Sequence, residues 1–174
     1  MKTNIRKILK FTTLLITSLL IATASASYYR YLYISGSVSV STGGLVWVKG
    51  AGATGSVHQV SINGYTASVT LNLNNGTEST IDRHLYLKNL DSDKNYSVTI
   101  EVTDPASSYL CSNFTIIIRD NTTDSEVGSL NALQSSSSIT GTITRGQVWH
   151  IVFYVITKPD ASGSDTFNVR FMYS

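Results

Sequence analysis

Residues 50–55 carry the pattern that comes nearest to a ligand-binding signature, G-x-G-x-x-G, with Gly50, Gly52 and Gly55. A dinucleotide site needs a helix directly after the glycines, because the helix N-terminus holds the pyrophosphate. Residues 56–60 instead read Ser-Val-His-Gln-Val, which alternates as a strand does. A P-loop is also excluded, since no lysine follows Gly55. We interpret residues 50–55 as a flexible glycine loop.

The acidic stretch at residues 91–95, Asp-Ser-Asp-Lys-Asn, begins in the manner of an EF-hand loop. Tyr96 stands where that loop needs glycine, and Val102 stands where it needs the bidentate glutamate. An Asx turn is therefore the expected structure, and we predict no metal site here.

No catalytic grouping is visible among the titratable residues. His58, His84 and His150 lie far apart without ligand spacing, and His150 sits in an apolar strand, where we expect a hydrogen-bonded core or interface residue. Residues 82–84, Asp-Arg-His, are neighbours in a predicted strand, so their side chains should point to opposite faces. The signatures G-x-S-x-G and H-E-x-x-H do not occur. We predict that the chain is not an enzyme and binds no cofactor; a secreted hydrolase is the least favoured alternative.

Cys111 is the single cysteine, so an internal disulfide and a cysteine-based zinc site are both excluded. It follows Tyr109 and Leu110 and is predicted to be a small buried apolar residue. Disulfide formation between two chains stays open as an alternative.

The first 26 residues have the layout of a secretory signal peptide. Four basic residues precede an apolar run at residues 11–22, and Ala24-Ser25-Ala26 supplies an A-x-A cleavage pattern. The run is shorter than the roughly 20 residues of a membrane span, although a retained anchor stays open as an alternative. We predict cleavage after Ala26, secretion, and contact with a membrane only during secretion.

Composition of the remaining chain fits one extracellular domain. Removing residues 1–26 from the 174-residue chain leaves 9 basic and 11 acidic residues. This near-neutral balance disfavours nucleic acid as a partner. Asn-x-Ser/Thr triplets mark candidate N-glycosylation sites. They begin at Asn75, Asn95, Asn113 and Asn121, of which Asn75 and Asn121 lie in turn-like sequence while Asn95 and Asn113 stand at the starts of predicted strands.

Period-two alternation and β-branched residues dominate the chain after residue 26. The predicted strands cover residues 31–41, 45–49, 57–62, 65–73, 81–87, 96–103, 114–119, 139–144, 147–157 and 166–173. Asn63-Gly64 between two alternating runs is a strong hairpin signal. The strand at 147–157 is apolar on both faces and should be central or covered by a partner, whereas the last strand should be half-buried. These features predict an all-β fold, a jelly-roll-like β-sandwich over residues 42–174.

The strand at residues 31–41 alternates strictly and contains no charge and no proline. Leu32, Ile34, Gly36, Val38 and Val40 share one face, while Tyr31, Tyr33 and four serines share the other. Soluble monomers usually blunt such a strand when it lies at a sheet edge. It pairs either within its own sheet or with the sheet of a neighbouring copy. Gly36 weakens an isolated strand but leaves room where a groove is tight.

The chain resembles the archaeal bundling pilins and the TasA-type biofilm fibre proteins. The resemblance lies in the signal sequence, the uncharged N-terminal strand, and the run Leu85-Tyr86-Leu87-Lys88-Asn89-Leu90 before Tyr96-Ser97-Val98-Thr99-Ile100. It implies a jelly-roll subunit whose N-terminal donor strand, within residues 27–41, inserts into the next subunit and builds a homopolymer. The donor residues would be Tyr31, Leu32, Tyr33, Ile34, Gly36, Val38 and Val40. An extracellular, cell-surface filament for adhesion and biofilm, with possible lateral bundling, is the expected function.

The alternative function is a monomeric secreted or cell-surface lectin or adhesin domain. Tyr28, Tyr29, Tyr31 and Tyr33 could stack on sugars, or the loop at residues 50–55 could bind them. The same tyrosines are equally suited to a contact between subunits, where tyrosine is enriched.

Overall fold

The computed structural model describes residues 31–40, 44–54 and 57–174. The predicted signal peptide, residues 27–30 and 41 of the predicted donor segment, and Gly55 therefore lie outside the described residues. The strands of the described part are β1 Tyr31–Val40, β2 Leu45–Lys49, β3 His58–Asn63, β4 Thr66–Asn74, β5 Glu78–Asn89, β6 Tyr96–Asp104, β7 Cys111–Asp120, β8 Glu126–Asn131, β9 Ser138–Ile143, β10 Val148–Thr157 and β11 Gly163–Tyr173. A short 3₁₀ helix covers Ala51–Thr54.

The strands form two sheets that pack face to face, which confirms the predicted all-β sandwich. The six-stranded sheet has the order β3-β4-β1-β11-β6-β9, and the five-stranded sheet has the order β2-β5-β10-β7-β8. The apolar residue of each alternating pair points into the space between the sheets. Along β4, for example, Ala67, Val69, Leu71 and Leu73 are buried while the residues between them are more exposed.

Aromatic rings join the two sheets across the core. The ring centroids of Trp47 in β2 and Phe171 in β11 lie 5.0 Å apart, edge to face. Phe167, also in β11, meets Phe114 of β7 at 5.0 Å and Phe153 of β10 at 6.3 Å. Since edge-to-face aromatic pairs add to the free energy of burial, Phe167 is held firmly at the centre of the sandwich.

The two strands singled out by their patterns are placed as expected. β10 lies between β5 and β7 at the centre of its sheet, which explains why both of its faces are apolar. On β11, Phe167, Val169 and Phe171 are buried, whereas Arg170 and Met172 are exposed.

Several local predictions are corrected. β8 was not predicted, because Glu-Val-Gly-Ser-Leu-Asn carries too few β-branched residues to read as a strand. The hairpin at Asn63-Gly64 is present, but Asn63 closes β3 and the turn consists of Gly64 and Tyr65, with φ of 59° at Gly64. Residues 51–54 form a 3₁₀ helix in place of a flexible loop, with Ala53 N–H donating to Gly50 O at 3.1 Å.

Among the described residues, no helix has the length and apolar character needed to span a membrane.

Candidate functional site: the slot that holds the N-terminal strand

β1 lies at the centre of the six-stranded sheet and pairs within its own chain, which is one of the two alternatives that the sequence left open. It pairs antiparallel with β4 from Tyr31 opposite Asn74 to Ser39 opposite Thr66. It pairs parallel with β11 from Leu32 opposite Gly163 to Val40 opposite Phe171. Of the strand pairings described, the one with β11 is the only parallel one. We call the gap between β4 and β11 the slot.

The inward face of β1 fills the slot as the alternation predicted. Ile34 and Val38 are 0% and 2% exposed, and Gly36 is buried between them. Burying side chains of this size contributes about 1.5–3 kcal/mol each before ordering costs. The side chains of Tyr31, Leu32, Tyr33 and Val40 lie outside the described part, so their predicted roles stay predictions.

Gly36 is required by the ring of Phe167. A Cβ added at Gly36 would lie 2.3 Å from two carbons of that ring. The ring itself is held by Phe114 and Phe153 from the opposite sheet, so it cannot retreat without opening the core. The sequence indicated that Gly36 would leave room where a groove is tight, but it gave no indication that the ring of Phe167 fills that room.

The outward face of β1 is polar and uncharged. Ser35 and Ser37 line a shallow depression together with Ser68 of β4 and Thr166 and Asn168 of β11. The Ser37 hydroxyl donates a hydrogen bond to Asn168 Oδ1. The side chains that line this depression offer hydroxyl and amide groups that donate and accept hydrogen bonds.

The body of the domain begins at Gly44, four residues after β1 ends. Leu90 N–H donates to Gly44 O at 2.7 Å, and Leu45 is fully buried and pairs with Asn89. The Tyr96 hydroxyl, which donates to Asp91 Oδ2, lies beside Gly44. Residues 41–43 therefore connect a strand of one sheet to a fixed point at the start of the other.

The densest group of charges surrounds His150 on the outer face of the five-stranded sheet. Its Nε2 lies 3.4 Å from Asp82 Oδ1 and 3.3 Å from Asp124 Oδ1, without hydrogen-bond geometry, and the ring is fully buried. Arg83 and Arg119 approach Asp124 at 3.8 and 3.4 Å. The burial predicted for His150 is confirmed, whereas the predicted hydrogen bond is absent. Because the carboxylates are about half exposed, these ion pairs contribute little stability.

A bulge in β5 produces this arrangement and corrects the prediction for residues 82–84. Leu85 pairs with Ile151 and Ile81 pairs with Phe153, so three residues of β5 oppose Val152 alone. Arg83 has a φ of 57°, which breaks the alternation and leaves Asp82, Arg83 and His84 all outside the core. The effect of the bulge is to bring β5 within reach of Asp124.

His58 and His84 stack edge to face beside the 3₁₀ helix, with ring centroids 5.6 Å apart. Burial and the neighbouring His84 ring lower the pKa of His58, and its Nδ1 accepts a hydrogen bond from Asn72 N–H at 3.3 Å. A second, more polar groove lies nearby, lined by Lys49, Gln59, Ser61, Ser68 and Thr70 with Ala53 and Val60.

The acidic stretch at residues 91–95 and Cys111, the remaining candidates from the sequence, lie in a turn and in the core. An Asx turn is present, but it is formed by Asn89, just before the predicted stretch at residues 91–95: Asn89 Oδ1 accepts from Asp91 N–H at 2.9 Å. Cys111 is buried as predicted, and burial raises the pKa of its thiol to about 11. The described residues contain no group of three or more His, Cys, Asp or Glu side chains arranged to hold a metal ion.

The four glycosylation candidates differ in accessibility. Asn95 is exposed just before β6, while Asn75, Asn113 and Asn121 are partly buried. Asn75 Nδ2 donates to Pro159 O at 2.6 Å, so a glycan there would replace an existing hydrogen bond. Asn113 lies inside β7, two residues beyond its start, and not at a strand start as predicted. Asn121 follows β7 in the turn that was predicted.

No protein-family model matches the chain, and a search of curated proteins finds no match.

Proposed function

We propose that the chain is an extracellular structural subunit that polymerises when β1 of one copy occupies the slot of the next. The observation that supports this best is that the first described strand is central in its sheet. It is covalently joined to the body on one side only, through residues 41–43. The β1 strand of another copy would therefore pair with the same two strands, β4 and β11.

The slot offers enough contact for a lasting association. β1 forms ladders with both β4 and β11, each over nine register positions. Each backbone hydrogen bond contributes about 0.5–1.5 kcal/mol net. Without β1, the facing edges of β4 and β11 would be unpaired, and unpaired edges favour the addition of a strand.

The surface composition is compatible with a filament outside the cell. The depression beside β1 is lined by hydroxyl and amide side chains, and Arg170, the charged residue of β11 opposite Ser39, is paired with Glu101 at 2.7 Å, so this face carries little uncompensated charge. Together with the predicted secretion signal, this supports a cell-surface filament that serves adhesion and biofilm formation and that bundles laterally.

Removal of the donor strand tests the proposal. A variant lacking residues 27–41 should form no filaments, because the slot of each copy then receives no strand. A matched variant lacking only residues 27–30 keeps β1 and should polymerise as the chain cleaved after Ala26 does. Electron microscopy of the purified proteins is the measurement. Filaments formed by the variant lacking residues 27–41 would contradict strand donation.

A monomeric carbohydrate-binding domain is the second candidate. Two observations favour it: β1 completes the sheet of its own chain, and the polar groove at Lys49 and Gln59 lies next to the 3₁₀ helix. A single species of monomer mass in gel filtration, retained on immobilised sugars and lost from them after Gln59→Ala, would favour this function over the filament.

A further inference from the structure

We infer that β1 enters the slot of the next copy in the direction opposite to the one it has in its own sheet. In the filament it runs antiparallel to β11 and parallel to β4, with Gly36 still opposite Phe167. The inference rests on the proposed function and specifies its partner geometry. Four features support it: the length of residues 41–43, which we call the hinge; the positions of the two ends of the slot; the directions of β4 and β11; and the sequence of β1.

The hinge is too short to separate two bodies. Val40 ends β1 and Gly44 is fixed to Leu90 by a hydrogen bond of 2.7 Å. The four steps from Val40 to Gly44 span at most about 14 Å when fully extended. A donated strand therefore brings the body of the donor directly against the end of the slot from which Val40 emerges.

If β1 keeps the direction that it has in its own sheet, the same end of the donor body and of the acceptor body come into contact. Val40 then emerges beside Phe171 of the acceptor, as it does beside Phe171 in its own chain. We call this the exit end of the slot, and the hinge of the acceptor starts from it too. The two exit ends face each other, and such an isologous contact closes when each copy fills the slot of the other. The product is a pair, not a filament.

If β1 enters the slot in the reversed direction, opposite ends of the donor body and of the acceptor body come into contact. Val40 then emerges at the other end of the slot, which is bordered by Leu73 of β4 and Gly163 of β11. Ten strand residues place that end about 30 Å from the exit end. The exit end of the acceptor stays free to send its own β1 to a third copy. A contact between unlike ends does not close on itself and produces an open chain of subunits.

β4 and β11, the strands that border the slot, can pair with β1 equally well in either of its two directions. β4 is antiparallel to β1 and β11 is parallel to it, so the two borders run in opposite directions. Whichever way β1 enters, it forms one parallel and one antiparallel ladder. Reversal therefore preserves the kinds of backbone pairing and their approximate number.

The sequence of β1 is close to symmetric about Gly36. Apolar residues stand two and four positions to either side, Ile34 and Val38, then Leu32 and Val40, and serines flank the glycine at 35 and 37. Turning the strand about Gly36 keeps the glycine under the ring of Phe167. It exchanges Ile34 with Val38, a difference of one methylene group at each position. Such a change costs about 0.5–1.5 kcal/mol where it creates a cavity.

Cross-linking at one donor position distinguishes the two directions. With the direction kept, Ser39 pairs with Arg170 of β11; after reversal about Gly36 it comes opposite Ser164. These positions are six residues, about 20 Å, apart along β11. Two matched full-length variants carry Ser39→Cys with either Ser164→Cys or Arg170→Cys, both on a Cys111→Ala background. Filaments of each are treated with a bifunctional thiol reagent much shorter than that distance, then separated by denaturing electrophoresis.

A ladder of covalent multimers from the Ser39→Cys/Ser164→Cys filaments, and none from the other variant, is the expected result. Filaments that give the ladder only with Arg170→Cys would overturn the reversal while leaving strand donation intact. Cross-links confined to single chains, in material without filaments, would overturn both. Covalent pairs without filaments would overturn the reversal and the filament and would leave a closed exchange of β1 between two copies. If either variant fails to assemble, β4 supplies an equivalent set. Asn72→Cys reports reversal and Thr66→Cys reports the kept direction, each with Ser39→Cys.

Discussion

At the scale of single residues, the slot depends on the contact between Gly36 and Phe167. The glycine lies directly opposite the phenylalanine in the parallel ladder, and the ring occupies the space of the missing side chain. A residue with a Cβ at position 36 must therefore displace either β1 or a ring that two other rings hold in place. The same restriction applies whether the strand comes from the same chain or from another copy.

Gly36→Val should destabilise the folded chain and abolish filaments. Overpacking in a well-packed core costs about 1–3 kcal/mol, and here the clash falls at the centre of the slot. Ser35→Val is the matched control, because it places the same side chain on the outward face of the same strand. Urea denaturation and electron microscopy measure both effects. Equal stability and equal polymerisation of the two variants would show that Phe167 does not restrict position 36.

At the scale of secondary-structure elements, a single carboxylate, that of Asp120, holds the turn between β7 and β8. Asp120 is buried, and it accepts hydrogen bonds from the Gln147 side chain, from Thr123 N–H at 2.7 Å and from Thr122 N–H at 2.8 Å. These bonds, that of Gln147 first, lower the pKa of Asp120 to about 2. Since Gln147 precedes β10, the carboxylate also ties this turn to the central strand of the sheet.

Acid should weaken the sandwich through Asp120. A carboxyl whose folded pKa lies below its unfolded value stabilises the fold above the unfolded pKa, near 4, and this contribution is lost as pH falls towards about 2. We expect Asp120→Asn to be less stable than the parent by on the order of 1–2 kcal/mol at pH 7. The difference should shrink between pH 4 and about 2. Denaturant unfolding at several pH values measures it. A difference that is independent of pH would contradict this role, and Asp93→Asn, in an exposed turn, is the control.

At the scale of the whole molecule, the proposed polymerisation would compete with completion of each sheet by the chain's own β1. β1 is central in its own sheet, so a folded copy would have to break two ladders before it could donate the strand. On this proposal, the choice of partner is made during folding, when the slot and the strand are both free. Collisions between copies become more frequent with concentration, whereas closure within one chain does not depend on it.

Refolding should reveal this competition. Chains diluted from denaturant at low concentration should give monomers with β1 in their own slot, and chains refolded at high concentration should give multimers. Monomers concentrated after folding should stay monomeric for much longer, because the ladders must first open. Gel filtration of the two preparations at equal final concentration is the measurement. Monomers at every refolding concentration would favour the carbohydrate-binding alternative.

The sequence by itself determined the fold class and the faces of the strands. A period of two fixes which side chains share a face, so the burial of Ile34 and Val38 and the two apolar faces of β10 followed from local pattern. The tertiary structure decided which strands are neighbours, because pairing depends on contacts between residues far apart in the chain. It placed β1 between β4 and β11, put Phe167 under Gly36, and introduced the bulge at Arg83. The alternation of apolar and polar residues predicts none of these three features, because it specifies which face a side chain lies on but not which strand lies beside it.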